Sequence, residues 1–478
     1  MKIPFVIFVL MSLVVTSIAQ GPQNERQQFI RVEAPQIALT HVRVIDGTGA
    51  PAQEDQTVLI SDGKIQKVGP LASITLGPEI KMLDLSGYTV MPGLVGMHDH
   101  MFFPMGGNPP IYSNMGISFP RLYLALGVTT IRTTGSVAPY TDLEIKRRID
   151  AGTMIGPKMH VTAPYLEGPG AYTPVMHELT GPDDARRMVN FWADEGATSF
   201  KAYMNITRDE LRAAVEEAHK RGLKVTGHLC SIGFREAAEI GIDDLEHGLL
   251  PNSEFVPGKV PDKCPAGVND SLLKLDINGP EAQQTIKTLV AKNVALTSTL
   301  PVFEAGAPIE QTGIGAARAL LNARMLNTMS NDARVRYLTA RARIPANSQT
   351  AALVRKSMDF ERAFVAAGGL LIAGLDPTGN GGVVAGFGDL REVELLVEAG
   401  FTPIEAIKIA SLNGAKFLGE DAHIGSIAVG KQADLMVVKG NPVTNINDIE
   451  NVEIVFKDGV GYDTEKLIQS VQGLVGVR

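Results

Sequence analysis

The two ends of the chain share one pattern, in which short runs alternate apolar and polar residues between turn residues. Near the N-terminal end the pattern covers residues 36–75, and Asp62-Gly63 within it is typical of a two-residue β-hairpin turn. The same alternation returns at residues 425–456. The pattern predicts a small β-sandwich domain assembled from both chain ends, over residues 30–90 and 419–465.

The middle of the chain, residues 91–418, alternates short apolar runs with helical periodicity. Thr207 and Glu210 form a capping-box pattern that predicts the start of a helix, and Gly222 predicts its end. Eight apolar runs are typical of strands, at 93–98, 128–133, 158–163, 197–202, 223–228, 243–247, 295–299 and 369–375. Eight strand–helix units predict an α/β fold with a (β/α)8 TIM barrel over residues 91–418. A doubly wound open sheet is the alternative, but it gives no reason for eight units.

Residues 1–19 have the three-part layout of a secretory signal peptide. Lys2 supplies the positive charge, an apolar run extends from Phe5 to Val15, and Ala19 ends a pattern of small residues that is typical of a cleavage site. The run is shorter than the roughly 18 to 20 residues that span a bilayer. We therefore expect an exported protein, periplasmic or secreted, with no membrane segment after cleavage.

Composition narrows the class of protein. Of the 478 residues, 45% are hydrophobic and 20% are charged, which is typical of globular domains and excludes a disordered chain. The net charge of −8 gives no sign of the clustered basic surface that binding to nucleic acid requires. Two cysteines, Cys230 and Cys264, exclude a disulfide framework and a cysteine-based zinc cluster, but they leave one disulfide open. The sequence also leaves open whether the chain forms a homo-oligomer.

Candidate metal ligands lie at the end of the first predicted barrel strand. Residues two apart in a strand point to the same side, so His98 and His100 can both reach one cation, whereas Asp99 points the other way. An isolated His-X-His pattern is weak support for a metal site, because either imidazole also fits a solvated or hydrogen-bonded loop position.

Three more predicted strands end in residues of the same chemistry. His228 ends the fifth strand, His247 ends the sixth, and Asp376 follows the eighth. Barrel enzymes place their chemistry at the carboxyl ends of the strands, so the shared position predicts one common site. For either histidine alone, a buried imidazole with satisfied hydrogen bonds is the alternative. Four histidines and an aspartate at strand ends make coincidence a poor explanation.

Lys201 lies at the end of the fourth predicted strand, beside these groups. An unpaired ammonium in a barrel mouth is costly, because burial disfavours the charged form. The neutral amine can react with carbon dioxide, and the resulting carbamate is an anionic oxygen ligand able to bridge two cations. A lysine paired with an acid of a loop is the alternative, and it is preferred on this residue alone.

Together these motifs resemble the amidohydrolase superfamily, in the branch similar to imidazolonepropionase and the metal-dependent Xaa-Pro dipeptidases. Five motifs occur in the family's order at the expected strand ends, and residues 425–434 are similar to the family's closing glycine-rich pattern. The resemblance implies a site for two divalent metal ions, with zinc favoured by the ligand types. The implied ligands are His98 and His100 for the first metal, Lys201 as a carboxylated bridging ligand, His228 and His247 for the second metal, and Asp376 on the first metal as ligand and proton shuttle.

The chain departs from the family pattern at two positions. Gly96 stands where the family usually has an aspartate, and Leu375 precedes Asp376 where the family motif often reads Gly-Thr-Asp. Neither departure removes an implied metal ligand. Both therefore concern the groups that surround the ligands and not metal binding itself.

The resemblance implies a metal-dependent amidohydrolase, in which a metal-bridging hydroxide attacks the carbonyl carbon of a small-molecule substrate, and the signal-peptide pattern adds that it is exported. The implied bond is an amide, in a dipeptide, an N-acyl amino acid or a non-peptide compound. One alternative is hydrolysis of a cyclic amide or a lactone, because the same site attacks any activated carbonyl. The other alternative is a metal-binding barrel without catalysis.

Candidate substrate-binding residues lie around the predicted barrel mouth. Tyr203 is two residues beyond Lys201 and on the same face, where it can hydrogen-bond a substrate carboxylate or an oxyanion. His177 lies in the loop after the third strand and can approach a substrate. Packing against the barrel mouth is the alternative for Tyr203, and surface exposure is the alternative for His177. Segments 104–113 and 301–367 are predicted to shape the pocket.

Overall fold

The structure is a computed structural model that describes residues 26–308 and 323–477. The predicted signal peptide, residues 1–19, lies outside the described residues, as does part of the predicted pocket-shaping segment 301–367. Within the described ranges, no helix combines the length and the apolar character needed to cross a membrane.

Six strands precede the barrel. They are β1 (Ile30–Val32), β2 (Gln36–Val44), β3 (Gln53–Ser61), β4 (Lys64–Gly69), β5 (Lys81–Asp84) and β6 (Tyr88–Pro92). The predicted hairpin joins β3 to β4, where Asp62 and Gly63 have φ angles of 51° and 74°. Both residues lie in the left-handed region that a type I′ turn requires, which explains the Asp-Gly dipeptide.

Ten strands follow in the middle of the chain. They are β7 (Leu94–Asp99), β8 (Phe102–Pro104), β9 (Tyr112–Asn114), β10 (Val128–Thr133), β11 (Lys158–His160), β12 (Ser199–Ala202), β13 (Lys224–Gly227), β14 (Asp244–Glu246), β15 (Ala295–Ser298) and β16 (Leu371–Ala373). β8 and β9 form a separate antiparallel hairpin, and the other eight strands pair in parallel. The predicted eight strands are therefore all present.

Two contacts close the eight parallel strands into a barrel. The ladders β7–β10–β11 and β12–β13–β14–β15–β16 meet at the bridge between Thr162 and Ser199. On the other side, the Asp376 N–H donates to the His98 carbonyl oxygen at 2.9 Å. A Cβ atom at Gly374 would lie 2.3 Å from the His98 nitrogen, so glycine is required for this close approach. The (β/α)8 barrel predicted from the sequence is confirmed.

Helices surround the barrel. Within the described residues they include α1 (Ser118–Ala125), α2 (Pro139–Asp150), α3 (Pro182–Asp194), α4 (Arg208–Lys220), α5 (Phe234–Ile240), α6 (Val268–Lys274), α7 (Pro280–Ala291), α8 (Leu300–Glu304), α9 (Asn331–Ala342), α10 (Thr350–Ala366), α11 (Phe387–Glu398), α12 (Pro403–Lys408), α13 (Gly414–Leu418) and α14 (Thr464–Gln469). A π-helical stretch, Ile409–Asn413, joins α12 to α13. Thr207 and Glu210 form the predicted capping box at the start of α4.

Three strands near the C-terminal end complete a second sheet. They are β17 (Leu435–Lys439), β18 (Val452–Lys457) and β19 (Val460–Asp463). The sheet runs in the order β1–β19–β18–β17–β6–β2–β3–β4, with β5 also paired to β2. Alternate residues of four strands from both chain ends share one buried apolar core: Ile37, Leu39, Val58, Ile60, Leu435, Val437, Ile454 and Phe456. Both chain ends therefore build the small β domain, as the alternating patterns predict.

Candidate active site

A cavity of about 160 Å³ opens at the carboxyl ends of the barrel strands. Its lining includes every metal ligand implied by the sequence: His98, His100, Lys201, His228, His247 and Asp376. These six residues come from five different strands or strand ends, over nearly three hundred positions of sequence. The structure therefore brings the whole predicted ligand set together.

β7 positions the His-X-His pair. The imidazoles of His98 and His100 are both buried, and each ring is anchored through Nδ1. The Nδ1 of His98 lies 2.7 Å from Glu246 Oε2, and the Nδ1 of His100 lies 3.1 Å from the Gly135 carbonyl oxygen. An ionised carboxylate and a carbonyl only accept hydrogen bonds, so both Nδ1 atoms donate. The Nε2 atoms keep their lone pairs, which is how proteins prepare histidine to bind a metal.

Asp376 lies among three of the imidazoles. Its Oδ1 is 3.6 Å from His100 Nε2, and its Oδ2 is 3.8 Å from His98 Nε2 and from His247 Nδ1. Burial raises the pKa of the Asp376 carboxyl to about 6. A carboxylate within 4 Å of three rings can serve as a ligand and can exchange a proton near neutral pH.

His228 and His247 complete the row of rings. Their ring centroids are 4.4 Å apart, and the His247 centroid is also 4.4 Å from that of His98. The Nδ1 of His247 lies 2.8 Å from Thr299 Oγ1, which fixes the ring, and its backbone φ is 70°. Such a left-handed conformation costs energy in a residue with a side chain, and functional sites often retain it.

Lys201 is buried beside these rings, with its Nζ 3.1 Å from His98 Nε2. Burial lowers the pKa of the Lys201 ammonium to about 8, although Glu246 and Asp376 oppose the shift. A fraction of the amine is therefore neutral near physiological pH, and only the neutral amine can react with carbon dioxide.

The four imidazoles are electrically neutral in this cavity. Burial is the largest cause that lowers the pKa of each of them, and it brings the pKa of His228 to about 3. A protonated imidazole has no lone pair for a metal, so neutrality leaves all four rings able to act as ligands.

The donor set of the cavity fits a divalent cation. One donor atom from each of His98, His100 and Asp376 lies within 4.8 Å of the others, which suits a single ion. Within the part of the chain that the structure describes, two buried atoms of the cavity have no hydrogen-bond partner, His247 Nε2 and Asp376 Oδ1. Buried polar atoms are rarely left unpaired, and imidazole and carboxylate donors are typical of zinc sites.

A buried ion-pair network supports the site from inside the barrel. Arg132 of β10 is fully buried and donates to Asp244 Oδ2 and Glu246 Oε1, each at 3.0 Å, and to the Met97 carbonyl oxygen at 2.8 Å. Glu246 thus joins Arg132 to His98. The strand-end motifs do not include these residues, although an arginine within the otherwise uncharged β10 is a sequence signal for such a network.

The two predicted substrate residues have different positions. Tyr203 lines the cavity, with its ring centroid 4.9 Å from that of His228. His177 is not among the lining residues, because its Nε2 pairs with Asp184 Oδ2 at 3.1 Å at the start of α3. The structure therefore does not bring His177 to the cavity. Its loop does contribute, through Tyr172 and Met176.

The departure at Gly96 has a structural explanation. A Cβ atom at Gly96 would lie 2.1 Å from Oδ2 of Asp99, so the Asp99 carboxyl takes the space of a side chain there. Asp99 is buried and is not among the residues that line the cavity, and burial raises the pKa of its carboxyl well above the usual range.

The comparisons with known proteins agree with this geometry. The sequence profile described as "Amidohydrolase family" matches residues 89–461, which is most of the chain. The chain belongs to the amidohydrolase family. Membership in this family supports a hydrolase that acts on carbon–nitrogen bonds, and it agrees with the resemblance drawn from the strand-end motifs.

Solved structures of similar amidohydrolases share the fold over nearly their whole length. A proposed prolidase from Bifidobacterium longum has 25% identity and a TM-score of 0.66, over 92% of this chain and 99% of that one. A Xaa-Pro dipeptidase with bound methionine has 21% identity and a TM-score of 0.65, over 90% of this chain and 100% of that one. A 5'-deoxyadenosine deaminase from Methanobrevibacter smithii is 39% identical over 59 residues, which cover 12% of this chain and only 14% of that protein.

Proposed function

We propose that this amidohydrolase is an exported, metal-dependent enzyme that hydrolyses an amide bond of a small molecule. The observation that carries the proposal is the convergence of four neutral imidazoles, a buried lysine and a buried aspartate in one cavity. Membership in the amidohydrolase family supports hydrolysis of a carbon–nitrogen bond.

The proposed metal ligands are those of the cavity. His98 and His100, with Asp376, would hold one divalent cation, and His228 and His247 would hold a second, with a carbamate on Lys201 between them. Zinc is the proposed metal, because its preferred donors are imidazole nitrogen and carboxylate oxygen. Bound there, divalent cations would supply Lewis-acid polarisation of the substrate carbonyl and would activate a water molecule near neutral pH.

Asp376 is the proposed proton carrier. A carboxyl with a pKa of about 6 can accept a proton from the nucleophilic water and return it near neutral pH. The proton goes to the leaving amine, which departs from the tetrahedral intermediate only when protonated. Tyr203 is the proposed donor to the developing oxyanion, because burial raises the pKa of its phenol and keeps the hydroxyl protonated.

Export is part of the proposal. It rests on the signal-peptide pattern of residues 1–19, and the disulfide between Cys230 and Cys264 supports it. Disulfides persist in oxidising compartments and are rare in the reducing cytosol.

A substrate screen on the zinc-reconstituted chain tests the proposal. Dipeptides, N-acyl amino acids, simple amides and lactones would be incubated with the protein after reconstitution with Zn²⁺ and bicarbonate, and release of amine or acid would be measured. We expect turnover of amides. Turnover of cyclic amides or lactones alone would support the alternative hydrolase, and turnover of none of them, with metal bound, would support a barrel without catalysis.

A further inference from the structure

One wall of the cavity is a continuous row of aromatic rings. The row starts at His100, whose ring stacks on Phe102 with centroids 4.3 Å apart. Phe102 meets Tyr112 at 5.0 Å, and the Tyr112 hydroxyl lies 2.6 Å from the Tyr172 hydroxyl. We call Phe102, Tyr112, Tyr172 and Tyr203 the aromatic arc.

The aromatic arc ends at the second pair of ligands. Tyr172 stacks on Tyr203 with centroids 6.0 Å apart and an interplanar angle of 28°, and Tyr203 lies 4.9 Å from His228. All four residues of the aromatic arc line the cavity. The arc therefore runs from a proposed ligand of the first metal to a proposed ligand of the second.

Three separate segments build the aromatic arc. Phe102 and Tyr112 come from the β8–β9 hairpin, Tyr172 comes from the loop before α3, and Tyr203 follows β12. The bond between the hydroxyls of Tyr112 and Tyr172 connects the hairpin to the loop. This bond occupies one donor and one acceptor position of the two hydroxyls and leaves the ring faces and edges available for contact with a ligand.

Apolar groups make up much of the remaining lining. Phe303 lies edge-on to His247 at 5.8 Å, and Val137, Tyr165, Met176 and Val302 also line the cavity. Aromatic rings bind other flat rings through offset-stacked or edge-to-face contacts, which a puckered saturated ring of similar size forms less well. Recognition along this wall therefore selects for shape as well as for apolar surface.

We infer that the aromatic arc binds a flat, apolar ring close to the scissile bond, so that amides that carry an aryl or heteroaryl ring beside the amide group are the substrate class. The inference rests on the proposed amide hydrolysis. A ring held between the two ends of the arc lies beside the proposed metal ligands, which places the adjacent carbonyl at the site of attack. Phe102 and Tyr172 are thus assigned as specificity-determining residues.

Two amides whose leaving groups are both unhindered primary alkylamines test the inference. N-Benzylacetamide and N-(cyclohexylmethyl)acetamide each have one scissile bond and differ in whether the ring is flat. For the zinc-reconstituted chain we expect kcat/KM to be about tenfold higher for the benzyl compound, the scale that aromatic pairing supports. Tyr172→Leu and Phe102→Leu should each reduce that ratio to below about threefold, with most of the loss in KM.

Tyr140→Leu is the matched control. Tyr140 is 57% exposed and packs on Trp192, outside the cavity, so its replacement should leave the ratio unchanged. Tyr172 is itself 40% exposed, so its truncation leaves the fold intact, as a thermal melt would verify. Equal turnover of the two amides, or a wild-type ratio in Tyr172→Leu, would overturn the inference.

Calorimetric binding separates this inference from the proposed function. If neither amide is hydrolysed, the binding affinities of the same two compounds are compared on the zinc-reconstituted chain. Preferred binding of the benzyl compound, lost in Tyr172→Leu, would support the aromatic arc even where amide hydrolysis fails. Equal affinities, or no measurable binding of either compound, would overturn it.

Discussion

His98 Nδ1 lies 2.7 Å from Glu246 Oε2, and both side chains are fully buried. The same carboxylate accepts a hydrogen bond from Arg132 at 3.0 Å through its other oxygen. Burial opposes ionisation of Glu246, but the positive charges of Arg132 and Lys201 outweigh it and lower the pKa of the carboxyl. The ionised carboxylate fixes the tautomer of His98. Arg132 therefore acts on the proposed first metal through two intermediate side chains.

Glu246→Gln should weaken zinc binding. The amide is the same size as the carboxylate, but it carries no charge and can orient a donor toward His98, so the preference for the ligating tautomer is lost. We expect zinc affinity to fall roughly 10- to 100-fold, the usual effect of losing a group that orients a metal ligand. Competition with a chelator of known affinity measures the change. Glu239→Gln, which alters an exposed carboxylate paired with Lys292, is the control, and equal affinities in the two variants would contradict the assigned role.

Asp376→Asn should leave metal bound yet abolish most turnover. The asparagine oxygen can still ligate, but the amide exchanges no proton near neutral pH. Loss of general acid–base catalysis predicts a decrease in kcat of about 10²- to 10⁴-fold. Steady-state kinetics measure kcat, and metal analysis of the same sample measures the bound metal. Asp359→Asn, on the exposed face of α10, is the control. A fully active Asp376→Asn variant would refute its role as proton carrier.

The metal ligands were predictable because they depend on local register. His98, His100, Lys201, His228, His247 and Asp376 lie at ends of barrel strands, and a closed barrel brings those ends to one rim. The Arg132–Glu246 pair and the Tyr112–Tyr172 pair join segments 114 and 60 residues apart, so their contacts depend on the folded topology. The position of His177 was equally inaccessible, because Asp184 holds its ring away from the cavity.

Removing the disulfide should destabilise the chain. The Cys230–Cys264 bond links residues 34 apart, and it begins two residues after His228. Loss of a cross-link that closes a loop of this length predicts a decrease of about 3–4 kcal/mol in the free energy of unfolding. Urea unfolding of a variant with both cysteines replaced by alanine measures the decrease. A reductant should destabilise the wild type and leave this variant unaffected, and equal midpoints for the oxidised wild type and the variant would contradict the expectation.

Glu361 should make the stability of the fold fall as pH rises. Its carboxyl is fully buried between the hydroxyls of Ser298 and Ser357, near the Glu392 carboxyl, and burial raises its pKa from 4.5 to about 7. The folded chain thus holds a proton that the unfolded chain releases above pH 4.5, so stability is highest at low pH within this window and declines up to about pH 7.

Glu361→Gln tests this pH dependence. The neutral amide should remove the decline, so the variant gains roughly 2.5 kcal/mol relative to wild type between pH 5 and pH 8. The free energy of unfolding in urea, measured for both proteins at both pH values, gives the difference directly. Parallel pH profiles of the two proteins would show that the Glu361 carboxyl does not titrate as described.

The central claim is a two-metal centre, and the metal content of the full chain tests it most directly. The chain would be reconstituted with Zn²⁺ and bicarbonate, and unbound ions would then be removed. We predict two equivalents of zinc per chain by elemental analysis, decreasing when bicarbonate is omitted because the bridging carbamate on Lys201 then fails to form. One equivalent or less bound under the full conditions would contradict a two-metal centre at the barrel rim.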